Sequence, residues 1–198
     1  MPSRPLVFSS SRLLLWLLAL SAATPATARA QQYLRPSDIN RLPSKPADAR
    51  IAYGADSLQF GELRLPNGNG PFPVAIVIHG GCWVHGYAAA NNAAPIADAL
   101  RDAGVATWNI EYRRRDNPGG GWPGTFLDVA NAADSLRSIA TRYPLDLTRV
   151  VAIGHSAGGQ LGLWLAARKK IGPDSPLRAT NPLALAGVVA LAGPGDPY

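Results

Sequence analysis

The sequence predicts an α/β fold, a mostly parallel sheet with helices on both of its faces. Three observations carry that expectation. Residues 74–78 (VAIVI) and 150–153 (VVAI) are unbroken apolar runs, the pattern of strands covered on both sides. Between them Phe126, Val129, Ala130, Ala133, Leu136, Ile139, Ala140 and Tyr143 recur at spacings of three and four, the stripe of one helical face, which Pro144 ends. Apolar strand, Gly-rich loop and amphipathic helix then repeat in turn, and strands alternating with crossover helices form a parallel sheet.

The elements follow in order. Residues 50–54 and 58–65 read as two short strands, the second with imperfect apolar–polar alternation. Residues 66–71 (PNGNGP) form a turn by composition. After the strand at 74–78 comes a helix over 93–103, stopped by Gly104, and a strand over 105–112. The helix over 126–143 follows, then a turn at 146–149 leading into the strand at 150–153. Residues 156–170 are helical, and residues 185–191 supply a further core strand. No internal repeat or low-complexity tract interrupts this order.

At 198 residues the chain has the length of one domain, and 47% apolar with 16% charged residues excludes intrinsic disorder. The formal charge of +6 includes Arg4, Arg12 and Arg29, which lie in the first 30 residues without an acid. Beyond them the excess falls to +3, so no nucleic-acid-binding face is expected. Clusters such as Arg113, Arg114 and Arg115, or Arg168, Lys169 and Lys170 at a helix end, read as solvated or dipole-complementing charge.

Residues 1–30 have the layout of a secretory signal peptide. Arg4 and Arg12 precede an apolar run over 13–23, which is too short to cross a bilayer, and Ala28-Arg29-Ala30 is a small-x-small cleavage site before Gln31. The expected mature chain is secreted or periplasmic and has no stable membrane association; an uncleaved anchor is the competing reading. Residues 31–50, with Pro36, Pro43 and Pro46, read as a leader to a domain over 51–198. Cys82 is the single cysteine, so no intrachain disulfide is expected.

The chemistry-bearing segment is Gly154-His155-Ser156-Ala157-Gly158-Gly159, placed between a buried strand and a helix. That is the G-x-S-x-G pattern in its required context. A chain that turns from strand to helix within a few residues holds Ser156 in a strained conformation that only small neighbours can surround. The hydroxyl is thereby presented as a nucleophile. The amide of Ala157, at the helix start, points toward the carbonyl oxygen that Ser156 attacks. Upstream, the strand at 74–78 runs into His79-Gly80-Gly81-Cys82-Trp83, where the absence of Cβ atoms at Gly80 and Gly81 lets backbone N–H groups approach a developing oxyanion.

Together, His79-Gly80-Gly81-Cys82-Trp83 and Gly154-His155-Ser156-Ala157-Gly158-Gly159 resemble the α/β-hydrolase superfamily. The nearest likeness is to carboxylesterases of the hormone-sensitive-lipase and feruloyl-esterase-like kind, kynurenine formamidases and prolyl-oligopeptidase-type peptidases. The resemblance implies a Ser-His-Asp triad with Ser156 as nucleophile, and an oxyanion hole of Gly80, Gly81 and Ala157 with the amide of Cys82 as a further candidate. It also implies hydrolysis of a small-molecule ester or amide through an acyl-enzyme, without metal or organic cofactor. Residues 111–114 (EYRR) resemble a strand-end stretch of these enzymes and read as structural.

The same resemblance exposes a departure. The triad acid and base belong on loops after later strands, whereas 42 residues follow Ser156, too few for two more strand–helix units of about 30 residues each. His79, His85 and His155 all precede Ser156. His155 is expected to pack or hydrogen-bond within its loop, His79 to brace the oxyanion loop, and His85 to be merely loop-borne. Neither Asp174 nor Asp196 is placed as the acid. The expectation is therefore the N-terminal part of a longer hydrolase, its last strand–helix units missing.

Three functions remain open from sequence: a secreted carboxylesterase, an amidase of the same superfamily such as an arylformamidase or a prolyl-oligopeptidase-like peptidase, and a non-catalytic scaffold. Trp83, Trp122 and the loop over 118–124 are candidates to line an acyl pocket, with plain packing as the alternative. Oligomeric state is not encoded in any of these features.

Overall fold

Six strands form one mixed sheet in the order β1-β2-β4-β3-β5-β6 in the computed structural model, which describes Asp38 and residues 42–193. The expected signal peptide and half of the expected leader lie outside the described residues. Strand β1 (Ala49–Ala52) pairs antiparallel with β2 (Phe60–Arg64), and β2 pairs antiparallel with β4 (Ala106–Ile110). Parallel pairings join β4 to β3 (Phe72–Ile78), β3 to β5 (Leu145–His155) and β5 to β6 (Gly187–Leu191). The sheet is thus parallel except for its N-terminal pair.

Helix α1 (Ala90–Asp102) crosses from β3 to β4, and α2 (Gly121–Asp134) with the short α3 (Leu136–Ile139) crosses from β4 to β5. Helix α4 (Ala157–Ala167), extended by a 3₁₀ turn at Arg168–Lys170, crosses from β5 to β6. The two sheet faces account for the apolar runs. Val74, Ile76 and Ile78 on β3 and Val150 and Ala152 on β5 enter the larger core with Trp108, Leu136 and Leu161, while Ala75 and Val77 enter a smaller one with Ala93 and Ala97 of α1. Each strand residue therefore meets a helix whichever way it points, which is why no polar residue interrupts the runs.

Several elements differ from the expected bounds for local reasons. The second strand starts at Phe60 because Gln59 N–H turns back to Asp56 O (2.9 Å). The sheet starts at Ala49, and Asp48 is already tied to it through Asp48 N–H to Leu63 O and Leu65 N–H to Asp48 Oδ2. Helical periodicity over 126–143 covers two helices, since Ser135 diverts its hydroxyl to Ala132 O and splits the stretch. The turn at 146–149 lies inside β5 as a register slip: Pro73 faces Asp146, then Val74 faces Val150. Thr148 donates to Asp146 through both N–H and hydroxyl, and with Arg149 these bonds hold the half-buried Asp146 carboxyl down at about 2. The final strand begins at Gly187, two residues later than expected.

The candidate active site at the ends of β3 and β5

Ser156 stands between the end of β5 and the first residue of α4 with φ 52° and ψ −119°. That left-handed φ is unfavourable for any residue with a Cβ, at a cost of about 1–3 kcal/mol, so the surroundings must impose it. They do so from three sides. The Ser156 N–H donates to Leu191 O at the end of β6 (2.8 Å), its carbonyl accepts from Gly159 and Gln160, and the helix start is pressed against β3. A Cβ at Gly158 would stand 2.1 Å from Ile78 O, and one at Gly154 2.1 Å from Gly158 O. Only hydrogen fits at those positions. Gly158→Ala is accordingly expected to destabilise the fold by about 3 kcal/mol, measured by urea unfolding, because its neighbour is backbone that cannot yield.

The oxyanion-loop candidate lies directly beside the serine. A Cβ on Gly80 would meet His155 O at 2.8 Å and Ser156 Cβ at 3.2 Å, so the glycine backbone occupies the space next to the hydroxyl. Gly81 and Cys82 follow with φ of 106° and 53°, a sharp turn closed by Val84 N–H to Gly81 O (3.0 Å). Among the described residues the N–H groups of Gly80, Gly81 and Cys82 donate to no protein acceptor, and the Ser156 hydroxyl makes no hydrogen bond. Ala157, buried at the first position of α4, contributes an N–H that the helix itself cannot satisfy. Sequence reasoning named Ser156, Gly80, Gly81 and Ala157, and the fold gathers them at one corner. There, unspent donors and the positive end of α4 favour an oxygen bearing negative charge.

Beneath that corner is a buried polar brace. His79 Nδ1 lies 2.7 Å from Gly80 O, and since a carbonyl only accepts, the ring donates there; Nε2 lies 3.0 Å from Glu111 Oε1. Tyr112 stacks on the His79 ring at 4.3 Å and donates its hydroxyl to His79 O (2.9 Å). With these carbonyls fixed, the loop's N–H groups are left facing the other way. Glu111 also takes the Arg114 guanidinium at 2.8 Å, the Tyr112 N–H, and the Ala90 N–H at the start of α1. Burial by itself raises the Glu111 carboxyl pKa; the hydrogen bond and charge of His79 and the two backbone N–H groups outweigh it and hold the carboxyl below its usual range. The Tyr112 hydroxyl is pushed up by burial. His79 thus braces the loop as expected, and residues 111–114 act as scaffold.

The other titratable groups behave differently. His155 is exposed and its ring makes no hydrogen bond among the described residues, but the ring packs beside the diglycine corner: a Cβ on Gly80 would stand 3.2 Å from His155 Nδ1. His85 is exposed, its backbone N–H held by Asp116. No histidine among the described residues hydrogen-bonds Ser156. Asp174 is an exposed loop residue, and Asp196 lies outside the described residues. Cys82 is a free, exposed thiol, and no metal-ligating cluster occurs among the described residues.

A cavity of about 210 Å³ opens next to this corner, lined by Trp83, Arg115, Gly121, Trp122, Thr125, Phe126 and Gln160. Trp83 and Trp122 are the tryptophans singled out as pocket candidates; of the loop over 118–124, Gly121 and Trp122 reach it. Trp122 has φ −87° and ψ 129°, an extended residue inside the first turn of α2, and it meets Phe126 edge-on at 5.4 Å, which in turn meets Trp164 at 5.0 Å. Sequence reasoning missed Phe126, Arg115 and Gln160 as lining residues. Gln160 was findable, one helical turn beyond Ser156 on the same face of α4.

A doubly covered, mostly parallel sheet with a serine elbow after β5 and a diglycine corner after β3 defines the α/β-hydrolase class. Residues 62–196 match the BD-FAE family model, and the chain belongs to that family of α/β-hydrolase esterases. Esterase LipC of Mycobacterium tuberculosis is 33% identical over 114 residues, which is 57% of this chain and 28% of that protein. A truncated carbohydrate esterase from gut microbiota superposes with a TM-score of 0.63 at 25% identity, covering 76% of this chain and 60% of its own. A bacterial heroin esterase does so with a TM-score of 0.57 at 27% identity, covering 72% and 43%. This chain thus spans under a third of the curated relative and less than two thirds of either solved structure.

Proposed function

We propose that this chain carries the nucleophile and oxyanion hole of an exported serine esterase. Ser156 Oγ attacks the ester carbonyl carbon and gives its proton to a base. The carbonyl oxygen takes the negative charge against the N–H groups of Gly80, Gly81 and Ala157. The alcohol then leaves with a proton, and water releases the acid and restores Ser156. The observation that carries this reading is the left-handed φ of Ser156 next to the Gly80 backbone. Strain of that kind costs stability, and an unbonded hydroxyl facing unspent amides is what it obtains.

The base is not one of the three histidines placed above. It comes, with its acid partner, from strand–helix units beyond Leu191, a proposal consistent with the relatives' greater length. Export rests on the arrangement of residues 1–30, with Gln31 as the first residue of the mature chain. Esterase names among the relatives favour an oxygen ester as the scissile bond.

Paired substrates test this: 4-nitrophenyl butyrate and butyryl 4-nitroanilide, assayed with the full-length protein. Hydrolysis of the ester at a kcat/KM at least 100-fold above that for the anilide is expected. A preference for the anilide moves the chain to the amidases, and hydrolysis of neither makes it a scaffold.

A further inference from the structure

We infer that the cavity beside Ser156 receives a carboxylate: Arg115 takes the anionic end of an ester whose apolar body rests on Trp83, Trp122 and Phe126. The inference deepens the esterase reading, and its binding test does not depend on that reading.

Charge pairing in the run Arg113-Arg114-Arg115 carries the first half of the argument. Arg113 forks onto Asp128, which is fully buried, with 2.8 and 2.7 Å bonds, and Arg114 reaches Glu111 at 2.8 Å. Both charges are spent inside the protein. Arg115, next in the chain, has no carboxylate within salt-bridge distance among the described residues, and it lines the cavity. Its fixed backbone N–H, donated to Trp83 O at 3.0 Å, ties its origin to the loop that carries the diglycine corner. The exposed Arg115 side chain therefore springs from the Trp83 end of the pocket with its charge unspent.

The second half is the hydrogen-bonding character of the lining. Thr125 is already satisfied, its hydroxyl bonded to Arg113 O and accepting from Gly121 N–H. Gln160 has its Oε1 sealed from solvent without a partner, and its amide N–H₂ is the group open to the outside. The indole N–H groups of Trp83 and Trp122 have no acceptor, in contrast to buried Trp108, which donates to Ala132 O. Apart from the sealed Gln160 Oε1, the side-chain polar groups of the pocket with capacity to spare are donors. A neutral ligand offers those donors an oxygen but no charge for Arg115, and a cation is repelled by it; a carboxylate supplies two charged oxygens, and the planar guanidinium matches that geometry. The aromatic surfaces accept the apolar part.

Phenylacetate and phenylacetamide, which share the ring and differ in charge, are the probes. Titrated against the tryptophan fluorescence of the full-length protein at low salt, phenylacetate is expected to bind about tenfold more tightly, a gap that shrinks as salt screens the partly exposed cation. Arg115→Gln closes the gap, and Arg115→Lys restores part of it. Equal binding of the two probes, or a preference that survives Arg115→Gln, overturns the inference.

Two hydrolytic arms then say which side of the ester carries the anion. For the acyl side, the rate ratio of 4-nitrophenyl hydrogen glutarate to 4-nitrophenyl valerate is compared between wild type and Arg115→Gln. For the alcohol side, 4-carboxyphenyl valerate is compared with phenyl valerate in the same pair. A severalfold fall in either ratio supports the inference, and no fall in both overturns it. Failure to hydrolyse any ester with the phenylacetate preference intact refutes the esterase reading alone and leaves the anion pocket standing.

Discussion

Ser156→Ala in the full-length enzyme is expected to lower kcat/KM on 4-nitrophenyl butyrate by about four to six orders of magnitude, with the far-UV circular dichroism unchanged. The size of the effect follows from the role assigned to the hydroxyl: no other group at the corner can form the acyl bond, and the residual rate is what the oxyanion donors supply alone. The companion variant Ser156→Gly separates strain from chemistry. Glycine adopts φ near 52° without a Cβ penalty, so this variant is expected to be as inactive as alanine yet about 1 kcal/mol more stable than wild type. For a domain of this size that is a rise in Tm of roughly 2–4 °C. A drop in Tm on introducing glycine contradicts the claim that the elbow is held under strain.

The second large effect belongs to Glu111. Removing this carboxylate by Glu111→Ala strands the buried Arg114 guanidinium, the Nε2 of His79 and two backbone N–H groups. Breaking a buried ion pair from one side costs about 3–5 kcal/mol, and here the broken pair also anchors the diglycine loop. Urea unfolding is expected to show that loss, and hydrolysis is expected to fall in parallel as the loop amides lose their orientation. The pH dependence follows from the lowered folded-state pKa. A depressed carboxyl stabilises the fold fully above its unfolded value, about 4.3, and the contribution is lost as pH falls through the lower folded value. Wild type should therefore weaken on acidification below about pH 4.3, and Glu111→Gln should weaken less steeply over the same window.

Strand and helix order was readable because each parallel strand is a short apolar run and each crossover helix has a single apolar stripe. Ser156, Gly80, Gly81 and Ala157 were readable because close backbone approach leaves glycine in the sequence wherever a Cβ would collide, as at Gly158 and Gly80. What escaped were features set by side chains reaching locally to the backbone. Ser135 splits one expected helix into two, and Asp146 folds a turn into a strand. The pocket lining escaped for a different reason: Arg115, Phe126 and Gln160 come from three separate segments, and only the fold brings them to one cavity. Arg115 in particular is indistinguishable from Arg113 and Arg114 until the partners of those two are known.

Mapping a covalent adduct tests the account at its centre. Full-length protein treated with a fluorophosphonate and digested is expected to carry one phosphonyl group, located by tandem mass spectrometry on the Ser156 hydroxyl and absent from Ser156→Ala. Hydrolytic activity that survives the reagent with Ser156 unmodified, or an adduct on a different residue, contradicts it.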